Sequence, residues 1–151
     1  MELALSILSL LIALAAFFFS VWQFFAERTR SRREATIRAF DELEEAVFSN
    51  PAYKVLPAGD EALRFALTGQ PEWNAATLAL SRIEHFAVGI NSGIYDIRTL
   101  NRMAGGFLLQ EYARWKPVIE TKRKRDPDHL HYDEFENLCR RLVRMRRKNS
   151  R

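Results

Sequence analysis

The chain has 151 residues, 48% of them apolar, and a formal net charge of +4 with a pI of about 9.5. Beyond an apolar N-terminal run this leaves about 125 residues, one ordinary domain, and the basic balance admits two kinds of partner, anionic lipid and nucleic acid. A single cysteine, Cys139, excludes an intramolecular disulfide and agrees with a reducing compartment.

Leu3 to Ala26 carries no charged side chain. As a helix rising about 1.5 Å per residue it is long enough to cross a hydrocarbon core about 30 Å thick. Leu3, Leu10, Phe18 and Trp22 are representative of the anchor, with Trp22 suited to the headgroup boundary. A cleaved signal peptide fits poorly, because the chain begins Met1-Glu2 rather than with basic residues and the run ends in Phe, Trp and Gln instead of a small-residue cleavage site. A core helix of a soluble protein suits so long a charge-free run still less. Only Glu2 precedes the span, whereas Arg28, Arg30, Arg32 and Arg33 follow it, so the N-terminus is expected outside and the rest in the cytosol. Within the span Ser6, Ser9, Ala13, Ala16, Ser20 and Gln23 recur at steps of three and four, a face over which a second helix can approach closely.

The three segments expected are an anchor (1–26), a juxtamembrane helix (27–50) and a helical cytosolic domain (51–151). Glu27 to Phe48 has no Gly or Pro, and Ile37, Phe40, Leu43, Val47 and Phe48 form its apolar stripe, so one helix should run from membrane to domain until Ser49-Asn50-Pro51 stops it. From Pro51 to Gln70 the chain reads as irregular. Pro57-Ala58-Gly59 reads as a turn, and Asp60 is placed to cap a short helix over Glu61 to Thr68, closed by Gly69. Trp73, Ala76, Leu80, Ile83, Ala87 and Ile90 predict the strongest core helix, ended at Asn91-Ser92-Gly93. Asp96 should cap a helix over Ile97 to Met103, and Gly105-Gly106 marks a break or a close helix contact. Phe107 to about Arg125 resumes with Phe107, Leu108, Tyr112, Trp115 and Ile119 as buried candidates, and Pro117 predicts a kink or a boundary. After a polar connection, Phe135, Leu138, Cys139, Leu142 and Val143 form the stripe of a last helix backed by Arg140, Arg141, Arg144, Arg146 and Arg147, which either packs on the core or lies on lipid. No run has strand period, so the expected fold class is all-α.

The stretch Ile83 to Ile119, with Asn91 to Gly93, Asp96, Gly105-Gly106, Tyr112, Trp115, Lys116 and Pro117, resembles the core of a family of small bacterial membrane-anchored proteins catalogued only as a domain of unknown function. The resemblance implies an N-terminal anchor and a helical domain; it brings no catalytic residues.

Motifs for chemistry are absent from the sequence. There is no phosphate-binding loop, nucleophile elbow, His-Glu-x-x-His helix or paired cysteine motif, and His85 beside Glu84 reads as an ordinary surface or core histidine. Asp126, Asp128, His129, His131, Asp133 and Glu134 are rich in metal-binding types but consecutive, with no helical pair to fix them, and read better as a connector with helix-capping acids. Arg125 to His131 loosely matches the Arg and His spacing of small helical ribonucleases, but Pro127 splits it. Catalytic, cofactor and metal sites are therefore expected to be none. The expected function is a single-pass protein of the bacterial inner membrane whose helical domain binds a protein partner or self-associates. The expected partners are the bilayer, anionic headgroups at Arg28, Arg30, Arg32, Arg33, Arg144 and Arg147, and a homo-oligomer or partner membrane protein, with nucleic acid least favoured. The alternatives are an unrecognised helical nuclease and a membrane-defence effector acting through oligomerised anchors.

Overall fold

The computed structural model describes the backbone of residues 2–57, 59, 61, 71–125 and 131–149, and the side chains of 9–57, 59, 61, 74–125 and 131–148. Among these residues there are six α-helices and no strand. The expected helix over Glu61 to Thr68 lies almost wholly outside the described residues, as do the side chains of Leu3, Ser6 and Trp73.

The first helix, α1 (Glu2–Leu43), runs without interruption from the apolar run into the domain. Its buried seam is Thr36, Phe40, Leu43 and Val47, spaced four, three and four apart. Ile37, expected in this stripe, is instead 42% exposed. It lies next to Thr36 and so about 100° round the helix from it, and the small threonine takes the core-facing position. Within the segment 27–50, Thr36, Phe40, Leu43, Val47 and Phe48 are buried.

A π-helical turn (Glu44–Phe48) closes α1, with the Ser49 N–H donating to the Glu44 carbonyl at 2.8 Å. The helix stops at Ser49-Asn50-Pro51, but irregular chain does not follow. Asn50 leaves helical geometry and its side chain accepts from the Ala52 N–H at 2.9 Å, while Pro51 takes a first-turn position where no N–H is needed. The pair that ends one helix thus starts the next, α2 (Pro51–Lys54), which buries Tyr53.

The remaining helices are α3 (Pro71–Asn91), α4 (Ile97–Met103), α5 (Gly105–Arg125) and α6 (Asp133–Asn149). Leu80, Ile83, Ala87 and Ile90 of α3 meet Leu108, Trp115 and Ile119 of α5 and Phe135, Leu138 and Leu142 of α6 in one core. The basic last helix therefore packs its stripe on the core, resolving the choice between core and lipid. Cys139 is buried there, and burial pushes its thiol up to about 12, which makes it unreactive at neutral pH.

Between α3 and α4, Gly93 adopts the expected left-handed conformation (φ +80°) and Asp96 caps α4 through the Thr99 N–H at 2.9 Å and the Thr99 hydroxyl at 2.7 Å. Gly89 matters as much, because a Cβ there would stand 2.3 Å from the Tyr95 ring that folds back over it. Helix α5 begins at Gly105 rather than Phe107, and it continues through Pro117. A Cβ on Gly105 would come within 2.5 Å of Asn101 Oδ1, so the close contact foreseen at Gly105-Gly106 is with side chains, those of Asn101 and of Arg146 reaching over from α6. Phe107, expected in the core, is 39% exposed and meets Phe48 edge to face at 4.6 Å. It is displaced from the α5 seam by its neighbour Leu108, which is fully buried.

Candidate functional site

The feature that sets this chain apart from an ordinary helical bundle is the free half of α1. Every described side chain from residue 9 to 31 is exposed, including Phe18 at 67% and Trp22 at 66%. None of the described side chains of the apolar run is used by the core, which does not suit a core helix. The helix is long and apolar enough to cross a membrane.

The small-residue face is open along its described length, from Ser9 through Ala13, Ala16 and Ser20 to Gln23. Ser20 donates to the Ala16 carbonyl at 2.9 Å, and Thr29 does the same to Phe25 at 2.9 Å. These hydroxyl protons are satisfied inside the helix, so they can enter an apolar phase without an orphaned donor, and the face offers close approach more than donated hydrogen bonds.

The basic residues after the run do not form one group. Arg28 and Arg33 are exposed, and Arg30 is exposed and paired with Glu34 at 2.8 Å. Arg32, expected with them at the lipid surface, turns instead into the domain and donates to the Tyr95 carbonyl at 3.2 Å, with its Nε buried and without a partner among the described residues. One turn further on, Thr36 accepts from the Asp96 N–H at 2.7 Å and donates to the Arg32 carbonyl at 2.7 Å. Arg32 and Thr36 thus fasten the free helix to the α3–α4 loop. Arg144 and Arg147 are exposed on α6, where they line a groove between α5 and α6.

Two polar clusters, the first buried and the second half-buried, hold the domain together. In the first, Tyr53 donates to Glu111 Oε2 at 2.5 Å and accepts from Trp115 Nε1 at 2.7 Å. Arg114 lies 5.1 Å from the Tyr53 ring centre and 5.2 Å from that of Trp115, stands 3.7 Å from Glu111 Oε2, and donates to the Leu56 carbonyl. Burial, reinforced by the Glu111 carboxylate, raises the Tyr53 phenol well above its ordinary range. Every polar atom named here has a partner, which suits a strut rather than a reactive centre.

In the second, Glu84 of α3 reaches the N-terminus of α6 and accepts from the Glu134 N–H at 3.0 Å and the Phe135 N–H at 2.8 Å. Burial raises the Glu84 carboxyl, although these two amides pull the other way. Asn91 donates to the Glu134 carbonyl at 2.8 Å and accepts from Arg141 at 2.8 Å. From α5, Arg123 donates to Asp133 at 2.6 Å, Glu136 at 2.6 Å and the His131 carbonyl at 2.9 Å. Sequence reading missed both clusters, because the partners are dozens of positions apart and nothing local marks them.

Of the residues considered for metal, Asp126, Asp128 and His129 lie outside the described residues, as does Pro127 of the ribonuclease-like spacing. Asp133 serves Arg123, and the described residues contain no group of three metal-ligating side chains. His85 is exposed, with Nδ1 2.9 Å from the Ser81 carbonyl.

The model of a protein family described as a domain of unknown function (DUF4760) matches residues 10–142, and the chain belongs to that family. The match takes in most of the apolar run as well as the bundle, so the free helix falls within the family's pattern. No curated protein and no solved structure matches the chain.

Proposed function

We propose that this family member is a single-pass protein of a bacterial cytoplasmic membrane, N-terminus outside, that holds a helical interaction domain at the cytoplasmic face. The reading rests on one observation above the rest: an apolar helix whose described side chains are all exposed and that is continuous with a helix of the packed core. Arg28, Arg30 and Arg33 supply the positive flank that keeps such a helix oriented and add attraction to anionic headgroups. The face from Ser6 to Gln23 is then where a second anchor or a partner's membrane helix approaches. On this reading the domain acts by binding, with the Tyr53–Glu111–Trp115 and Glu84–Arg123 clusters as its internal struts.

Membrane extraction and a reporter fusion test this directly. The full-length protein should stay in the membrane fraction at alkaline pH, and a reporter active only in the cytosol, fused after Arg151, should be active. Release at alkaline pH removes the anchor; a stable but silent fusion reverses the orientation. Ser9→Leu and Ala13→Leu should each lower crosslinking between copies in native membranes, and strictly monomeric behaviour unchanged by either substitution rules out the seam.

A further inference from the structure

The α5–α6 groove has a volume of about 470 Å³, an apolar floor that includes Leu109, Tyr112 and Val143, and a rim formed by Arg140, Arg144 and Arg147. Glu136 is shared by Arg123 and Arg140 and Glu120 stands by Lys116, and with five basic side chains to these two acids the groove lining is net positive. The lining runs from Leu109 to Arg123 on α5, about 21 Å of helix at 1.5 Å per residue, the shape in which an amphipathic helix seats.

Its height above the membrane can be read along α1. The N-terminus of α4 is fixed at Thr36 by the Asp96 amide, and Phe107 of α5 packs on Phe48. Asn101 and Gly105, on which Arg146 rests, lie in the stretch between those two points. The C-terminal half of α6 therefore stands level with positions 36–48 of α1, about 15–33 Å beyond Ala26 at 1.5 Å per residue. That exceeds the Debye length of about 8 Å at physiological ionic strength, so Arg144 and Arg147 are badly placed for headgroups.

At the same level α1 displays Asp41, Glu42, Glu44 and Glu45, all exposed and none in an ion pair among the described residues. Ile37, Asp41 and Glu44 follow one another at i, i+4 and i+7, the same spacing as Arg140, Arg144 and Arg147.

We propose that the α5–α6 groove seats α1 of a second copy of this chain, with Ile37 over the apolar floor and Asp41, Glu44 and Glu45 against the arginine rim. The match in height rests on the anchored reading, since a shared membrane is what sets two copies level. Charge complementarity and the exposed isoleucine supply the rest.

Full-length protein in native membranes tests it, with Ile37→Cys on one copy and Val143→Cys on the other, crosslinked by a short bismaleimide; buried Cys139 contributes little background. A dimer band is expected. Arg144→Glu with Arg147→Glu should weaken it about tenfold, as should Asp41→Lys with Glu44→Lys, because like charges then face each other. Both reversals in the same chain should restore the band to within about twofold of the parent, since the attraction returns with its sign exchanged. Loss without restoration overturns the second copy as occupant and points to another acidic helix. No loss from either reversal overturns the groove as a docking site. Alkaline extraction of each variant separates these outcomes from failure of the anchor, which would show as released protein.

Discussion

Tyr53 joins α2 to α5 through one oxygen, donating to Glu111 and accepting from Trp115. Tyr53→Phe keeps the ring under Arg114 but leaves the Trp115 N–H and one lone pair of a buried carboxylate without their partner. Leaving buried polar groups unsatisfied costs about 1–3 kcal/mol each, so the substitution should destabilise the domain by about 2–3 kcal/mol, read as a lower urea midpoint with unchanged slope. A loss no greater than that of an exposed substitution such as Lys54→Ala would show that the strut carries no stability. The double change Tyr53→Phe with Glu111→Leu should cost less than the two single changes summed, because it removes the orphaned carboxylate together with its donor.

Helix α6 illustrates how an element can be legible while its attachment is not. Its stripe and its basic back follow from helical period, as do the core positions of α3, and the caps at Gly93 and Asp96 follow from residue type. What fixes its N-terminus is Glu84 from α3 and Arg123 from α5, and long-range pairing of this kind has no period. The same limit explains Arg32, which local charge grouped with Arg28 and Arg33 but which Tyr95 draws inward, and α2, whose single turn is too short to show a stripe. Ile37 and Phe107 fail for a different reason: each sits beside a seam residue, and apolar character alone does not say which neighbour faces in. The attachment carries a pH signature. The Arg123 hydrogen bond, helped by Arg140, lowers the Glu136 carboxyl below its ordinary value, against the opposing effect of burial. A lowered folded-state value means that the contribution is complete above the unfolded value of about 4.3 and disappears as pH falls through the folded one. Glu136→Gln should therefore cost about 1–2 kcal/mol at pH 7 and almost nothing at pH 2, measured by urea unfolding at both. An equal loss at the two values would place the effect outside the ion pair.

For the whole molecule, the question is whether the free half of α1 and the bundle depend on each other for folding. Residues 9–31 bury no described side chain, and attachment begins with Arg32 and Thr36. A chain starting at Glu27 keeps both fastenings and the whole seam from Thr36 to Val47, and should be soluble, helical and cooperative in unfolding. Cys139 makes the test specific, since its buried thiol, pushed up to about 12, should resist maleimide in the fragment as in the full chain and react on unfolding. A chain starting at Ala35 loses Arg32, with both its bond to the Tyr95 carbonyl and the carbonyl that accepts from Thr36, while retaining the bond from the Asp96 amide to Thr36, and should melt lower by about 4–8 °C if the lost bonds together contribute about 1 kcal/mol in a domain of this size. Rapid labelling of the first fragment would mean that the apolar run helps hold the core. Protection in both fragments, with the second melting lower, would place the junction between anchor and bundle at Arg32. In that case the anchor contributes position and the bundle its own stability, and the rigid helix from Ala26 to Thr36 sets the height at which the domain meets its partners.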